Sequence, residues 1–237
     1  MIETLSRPLA QRTIGLTPAA PDAVEPDIPA NVVQAAADAL DRGETHYADR
    51  PGIPELRKLV AERLNARYGL NYQPNDVTIT CGSTEARYCA LQLFLKTGAP
   101  IVCPGDSSRI DATAQLGGLD IVKTADAARP ESALYLTPSD VVKTWLDNAE
   151  ANGWWVIWDA SGQDAGSVHP AQRAALAPRV ISIDDVEDQM PGWRVGWMVG
   201  SEKHTQLRAF KQAMTICTTN VSQWAALELL RTEDANA

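Results

Sequence analysis

Apolar positions recur along this chain with two different periods. In "GIPELRKLVAERLNARYGL", Leu56, Leu59, Val60, Leu64 and Tyr68 fall three and four residues apart, which gives a helix one apolar face. "IPANVVQAAADALDRG" predicts a helix before it, stopped by Gly43. Short β-branched or apolar runs follow at intervals: "VTITC", "PIVCP", "LDIVK", "SALYL", "WWVIWD", "RVISID" and "WRVGWMVG". Each is too short for a helix and bounded by turn formers or helical stretches, so each predicts a strand. Between and after them, five helices are expected in "GSTEARYCALQLFLKTG", "SSRIDATAQLGG", "SDVVKTWLDNAEANG", "SEKHTQLRAFKQAM" and "NVSQWAALELLRTE". The third has Ser139 or Asp140 as N-cap and Gly153 as its stop.

Continuous apolar strands joined by helices predict an α/β fold: a mostly parallel sheet covered on both faces, three layers in the order α/β/α. Residues 1–29 are rich in Pro, Ala and acids and lack periodic apolar positions, so they read as an arm lying over one domain at 30–237. In such sheets ligands sit beyond the carboxyl ends of the strands, here the loops Cys81–Thr84 and Asp159–Gly162. Trp154 and Trp158 share one face of a strand, and core packing accounts for them.

Composition narrows the partners. A formal net charge of −9 over 237 residues, with no run of Lys or Arg, argues against nucleic acid or an anionic membrane. Cys81, Cys89, Cys103 and Cys217 form no CxxC pair, and His46, His169 and His204 are scattered, so no zinc site is expected. The first residues lack a basic-then-apolar signal and no apolar run has membrane-spanning length. A cytoplasmic protein is expected.

Several segments, in order, resemble the class I/II aminotransferases, the fold-type-I group that uses pyridoxal phosphate (PLP). They are "GETHYADRPGIPELRKLVAERLNARYGL", "DVTITCGSTEARYCAL", "WWVIWDASG", "PGWRVGWMVG" and "TTNVSQWAALELL", with a weaker trace at "IGLTPAAPD". The likeness runs from about Thr45 to Leu230 and implies the large domain of that family. It also implies roles. Gly82, Ser83 and Thr84, opening a helix after a strand, would cradle the cofactor's phosphate; the same residues also read as a plain glycine turn. Asp159 would pair with the pyridine nitrogen, or it reads as a solvated strand-end acid or a helix cap. Arg194 would bind the phosphate through its two-pronged guanidinium. Tyr47 would reach the phosphate of a neighbouring subunit, or pack on its own core, and the first role implies a homodimer.

The departures change the expected chemistry. The family's lysine, tether and base in one, lies six residues before the glycine of G-W-R; here that position is Val186. No lysine occurs between Lys143 and Lys203. Asp184, Asp185, Glu187 and Asp188 surround the position and are expected in a solvated loop. The family's Asn-bearing N-P-x-G loop has no counterpart in "YLTPSD", Gly162 stands where a tyrosine is expected, and "CPGDSSRID" lacks the ring-stacking aromatic. The chain also stops where the family continues into a small C-terminal domain, which is expected to be missing. The resemblance thus predicts an aminotransferase-like protein without transaminase activity. It would hold PLP or another phosphorylated ligand without a covalent bond, or nothing, and serve a structural or regulatory role as a homodimer or beside a related aminotransferase. The alternative is an active PLP-dependent transferase completed by Lys143, Lys203, Lys211 or a partner chain.

Overall fold

The computed structural model describes residues 27–95, 97–140, 143–200 and 202–236. Nearly all of the expected arm, and the trace at "IGLTPAAPD", lie outside the described residues.

The β-branched and apolar runs form seven strands: β1 (Val77–Thr80), β2 (Ile101–Val102), β3 (Ile121–Val122), β4 (Ala133–Leu136), β5 (Trp155–Asp159), β6 (Val180–Asp185) and β7 (Gly196–Val199). They make one sheet in the order β1-β7-β6-β5-β4-β2-β3. β7 is antiparallel to both its neighbours, and every other pairing is parallel. This is the mostly parallel α/β sheet that the patterning predicts. Among the described residues, seven helices surround it: α1 (Ala30–Asp41), α2 (Pro54–Tyr68), α3 (Gly82–Gln92), α4 (Ser108–Gly117), α5 (Lys143–Asn152), α6 (His204–Thr215) and α7 (Asn220–Asn236).

Alternation along the strands divides the core into two faces. Ala133, Tyr135, Trp155, Ile157, Ile181 and Ile183 pack with α3, α4 and Leu207 of α6. Leu134, Leu136, Val156 and Trp158 face the other way, onto Leu146 and Ala149 of α5. Towards the β1 edge, Val77, Ile79, Trp197 and Val199 pack with α1, α2 and α7. Trp154 and Trp158 are buried together on the α5 side, so core packing does account for them. The Asp140 carboxylate accepts from the backbone N–H and hydroxyl of Thr137, closing a turn ahead of α5. No helix among the described residues is long and apolar enough to cross a membrane.

Candidate functional site

The carboxyl end of β5 meets the start of α3. Asp159, the last residue of β5, is fully buried. Its Oδ2 accepts from Arg87 Nη1 at 2.9 Å and from the Tyr135 hydroxyl at 2.5 Å. Its Oδ1 accepts from the Ser161 hydroxyl at 2.6 Å and the Ser161 N–H at 3.1 Å. An ionised carboxylate offers about four lone-pair sites, and these four donors occupy them. Tyr135 is held protonated, because burial and the Asp159 charge both raise its pKa. Arg109 of α4 completes the arrangement by donating to the carbonyl and hydroxyl of Ser161.

Arg87 lies on α3, three residues beyond Thr84, and its Nη2 reaches the Thr84 hydroxyl at 3.4 Å. Only 11% of its side chain is exposed, and its buried Nε has no hydrogen-bond partner among the described residues. The helix start depends on two glycines. Gly82 takes φ +71°, which L side chains rarely adopt. Gly196 on β7 has no side chain where a Cβ would lie 2.7 Å from the Gly82 carbonyl carbon and 2.8 Å from the Ser83 nitrogen. Its bareness lets β7 sit against the first turn of α3.

Arg194 follows the short helical turn Pro191–Trp193 with φ +54°. Its guanidinium pairs with the Glu187 carboxylate. Both groups stand over Gly82: a Cβ built there would collide with Glu187 Oε1 and come within 2.6 Å of Arg194 Nη2. Burial, then the Asp185 charge, raise the Glu187 pKa against the pull of Arg194 and Arg87. A small cavity of about 220 Å³ beside these groups is lined by Ser83, Arg87, Arg109, Ser161, Asp185 and Glu187, among others.

Five of the six residues expected to hold a cofactor therefore converge here: Gly82, Ser83, Thr84, Asp159 and Arg194. Tyr47 does not join them by its own side chain; it lies between α1 and α2 and is 80% exposed. The expectation of a solvated acidic loop is corrected. Only Asp188 of the four acids is exposed. Glu187 is drawn in by Arg194, and Asp184 is half-buried, its pKa pushed up to about 7 chiefly by burial and then by Asp185 and Asp159. Val186 is buried with Ile79, Val195 and Trp197, and its N–H bonds the Val195 carbonyl. It lines an adjoining cavity of about 690 Å³ between α2, β6 and α7, which shares Gly162, Asp185 and Asp188 with the small one and which none of Gly82, Asp159 and Arg194 borders.

Arg87, Arg109, Tyr135, Ser161 and the role of Glu187 were missed by sequence reasoning. Helical spacing places Arg87 on the Ser83–Thr84 side of α3 and could have flagged it. Tyr135 and Glu187 meet their partners only through sheet order and loop packing, for which the sequence carries no local signal.

Residues 17–126 match the family model for aminotransferase class I and II. The match takes in most of the weaker trace at "IGLTPAAPD" and stops short of G-W-R-V-G. The chain is 26% identical to a probable aspartate aminotransferase of Methanocaldococcus jannaschii, over 86% of this chain and 64% of the relative. It is 28% identical to an aspartate/prephenate aminotransferase of Cereibacter sphaeroides, over 92% of this chain and 63% of the relative. Its fold is similar to that of the aspartate aminotransferase of Rhizobium meliloti, with a TM-score of 0.78 at 25% identity, over 88% of this chain and 62% of that one. The chain thus spans somewhat under two thirds of the length of these relatives. With this sheet order, this helix start beneath Gly196 and these likenesses, the chain is similar to the class I/II aminotransferases and is built on the fold of the aminotransferase large domain.

Proposed function

We propose that this chain carries out no transamination and serves a structural or regulatory role, as a homodimer or beside a related aminotransferase. The observation that carries this reading is the side chain at position 186: a valine, 4% exposed and packed among apolar neighbours, stands where the family's lysine is expected. An isopropyl group forms no Schiff base and moves no proton.

The other lysines considered offer no replacement. Lys143 pairs with Asp147 at 2.6 Å on the exposed start of α5. Lys203 lies over the Trp155 ring, 4.9 Å from its centre. Trp155 begins the strand that Asp159 ends, roughly 13 Å away at the usual rise per residue. Lys211 is fully buried on α6, where α6 meets the Glu85 side of α3. Glu85 and Arg87, two residues apart on a helix, point to nearly opposite sides, so Lys211 is screened from Asp159 by α3 itself.

PLP is the cofactor of the family, and the residues here can be matched to its charged ends. When bound it supplies an electron sink, provided that a carboxylate pairs with its ring nitrogen and a cationic seat takes its phosphate. Asp159 has its four acceptor positions filled by Arg87, Tyr135 and Ser161. The Arg194 charge is met by Glu187. Both cofactor-facing charges are thus already neutralised within the chain, and the residues as arranged do not fit the group. No catalytic step through it is derived.

The test is reductive trapping. The protein is incubated with PLP, reduced with borohydride and digested, and the peptides are weighed by mass spectrometry. No lysine should carry a pyridoxyl group above the level found on unfolded chain. Stoichiometric labelling of a single lysine would overturn the reading and favour an active transferase completed by that residue.

A further inference from the structure

We infer that Glu187 is a built-in occupant of an anion seat at the start of α3, and that it blocks the binding of phosphate there. The inference deepens the proposed function by naming what controls the same site, and it can fail separately from it.

The seat is formed by three things on one spot. The first turn of α3, an 11-residue helix, starts at Gly82; its N-cap residue Cys81 supplies no side-chain hydrogen bond to that turn, and the Glu85 carboxylate, also in the first turn, accepts from the Cys81 N–H at 2.6 Å. Such a helix end carries partial positive charge and unpaired donors. Gly82, lacking a side chain, leaves room directly above that turn. Arg194 brings a guanidinium into that room, within 2.6 Å of where a Gly82 side chain would begin. Arg87, paired with Asp159, also borders the cavity, and its buried Nε meets no acceptor among the described residues.

The present occupant is an imperfect match. Glu187 Oε1 lies in the space over Gly82 and forms an ion pair with Arg194. That oxygen is buried and is taken up by the Arg194 guanidinium, and among the described residues no helix N–H donates to it. A carboxylate presents two oxygens on a tethered side chain. A phosphate presents three or four, carries up to two charges, and can accept from several N–H groups at once. The Glu187 side chain is 26% exposed, so water can reach it. Asp185 and Asp188 line the same cavity and oppose any incoming anion. The seat is thus cationic at its floor and acidic at its rim, and Glu187 decides the balance.

The experiment is a titration with inorganic phosphate in a phosphate-free buffer of low salt, read by isothermal calorimetry. It compares the wild type with Glu187→Gln and Glu187→Ala. The glutamine variant keeps the size of the side chain and guards against a folding defect, which circular dichroism would reveal. Removing the charge that competes for Arg194 should tighten phosphate binding by about tenfold or more. Arg194→Ala in the Glu187→Gln background should abolish the gain. Equal affinity in the wild type and both Glu187 variants, or no binding in any of them, would overturn the inference. Trapping of a lysine by PLP would sink the proposed function while leaving this phosphate result standing, so the two failures are distinguishable.

Discussion

The Arg87–Asp159 pair is the most exposed point of this reading to experiment. Its partners are 11% and 0% accessible, and they meet at 2.9 Å. Replacing Arg87 by methionine keeps the stem and removes the cation. Asp159 would retain the Tyr135 hydroxyl and both donors of Ser161, but no positive charge would hold it in direct contact. Breaking a buried pair from one side costs about 3–5 kcal/mol, because the surviving charge is left uncompensated. Three remaining neutral donors place the expected cost at the lower end, about 3 kcal/mol. Asp159→Asn strands the guanidinium instead, at a cost on the order of 2 kcal/mol, since Arg87 sits nearer the solvent. In the double variant neither charge is left alone. Its loss should therefore fall short of the sum by about 1–3 kcal/mol. Urea unfolding followed by far-UV circular dichroism gives the four stabilities. If the two single losses add to within about 0.5 kcal/mol, the residues are not coupled, and the claim that Arg87 takes up the Asp159 carboxylate fails.

Two further changes probe the surroundings of the site. Asp184 has its pKa raised from the ordinary value near 3.8 to about 7, so between those values the folded chain holds a proton that the unfolded chain has lost. That proton favours the folded state at low pH, and the contribution disappears as pH rises through 7. Asp184→Asn should gain stability relative to the wild type between pH 4 and pH 7, on the order of 2–4 kcal/mol; a difference independent of pH would contradict the burial of that carboxylate. Gly196→Ala would force a methyl group against the backbone of Gly82 and Ser83 and should cost about 1–3 kcal/mol by overpacking. It should also lower the phosphate affinity gained by Glu187→Gln. An unchanged melting temperature would show that β7 and α3 have room to part.

The elements themselves were legible because each was specified locally. "VTITC", "WWVIWD" and "RVISID" are strands by composition and length, and Gly153 at φ +67° ends α5 where the glycine stood. Five of the six expected site residues come together because each sits at the end of an element, and the parallel sheet brings those ends to one edge. What the sequence withheld was pairing. Tyr135 and Asp159 lie 24 residues apart and meet because β4 runs beside β5. Glu187 stood in a run of acids that reads as solvated, and only the return of the chain at Arg194 gives it a partner.

This difference between residue type and partner decides the function more than the motif does. Asp159 and Arg194 both lie close to α3. A carboxylate in a buried site is stable only when paired and hydrogen-bonded, and so is a guanidinium. In an enzyme that relies on a bound cofactor, those unmet charges are completed by the ligand, at the cost of a less stable empty chain. Here Arg87 and Glu187 complete them from within. The consequence is that stability and ligand binding compete for the same two charges. Any substitution that reopens the seat, Glu187→Gln above all, should make the folded chain less stable without phosphate and more dependent on it, so that added phosphate raises the melting temperature of the variant and not of the wild type.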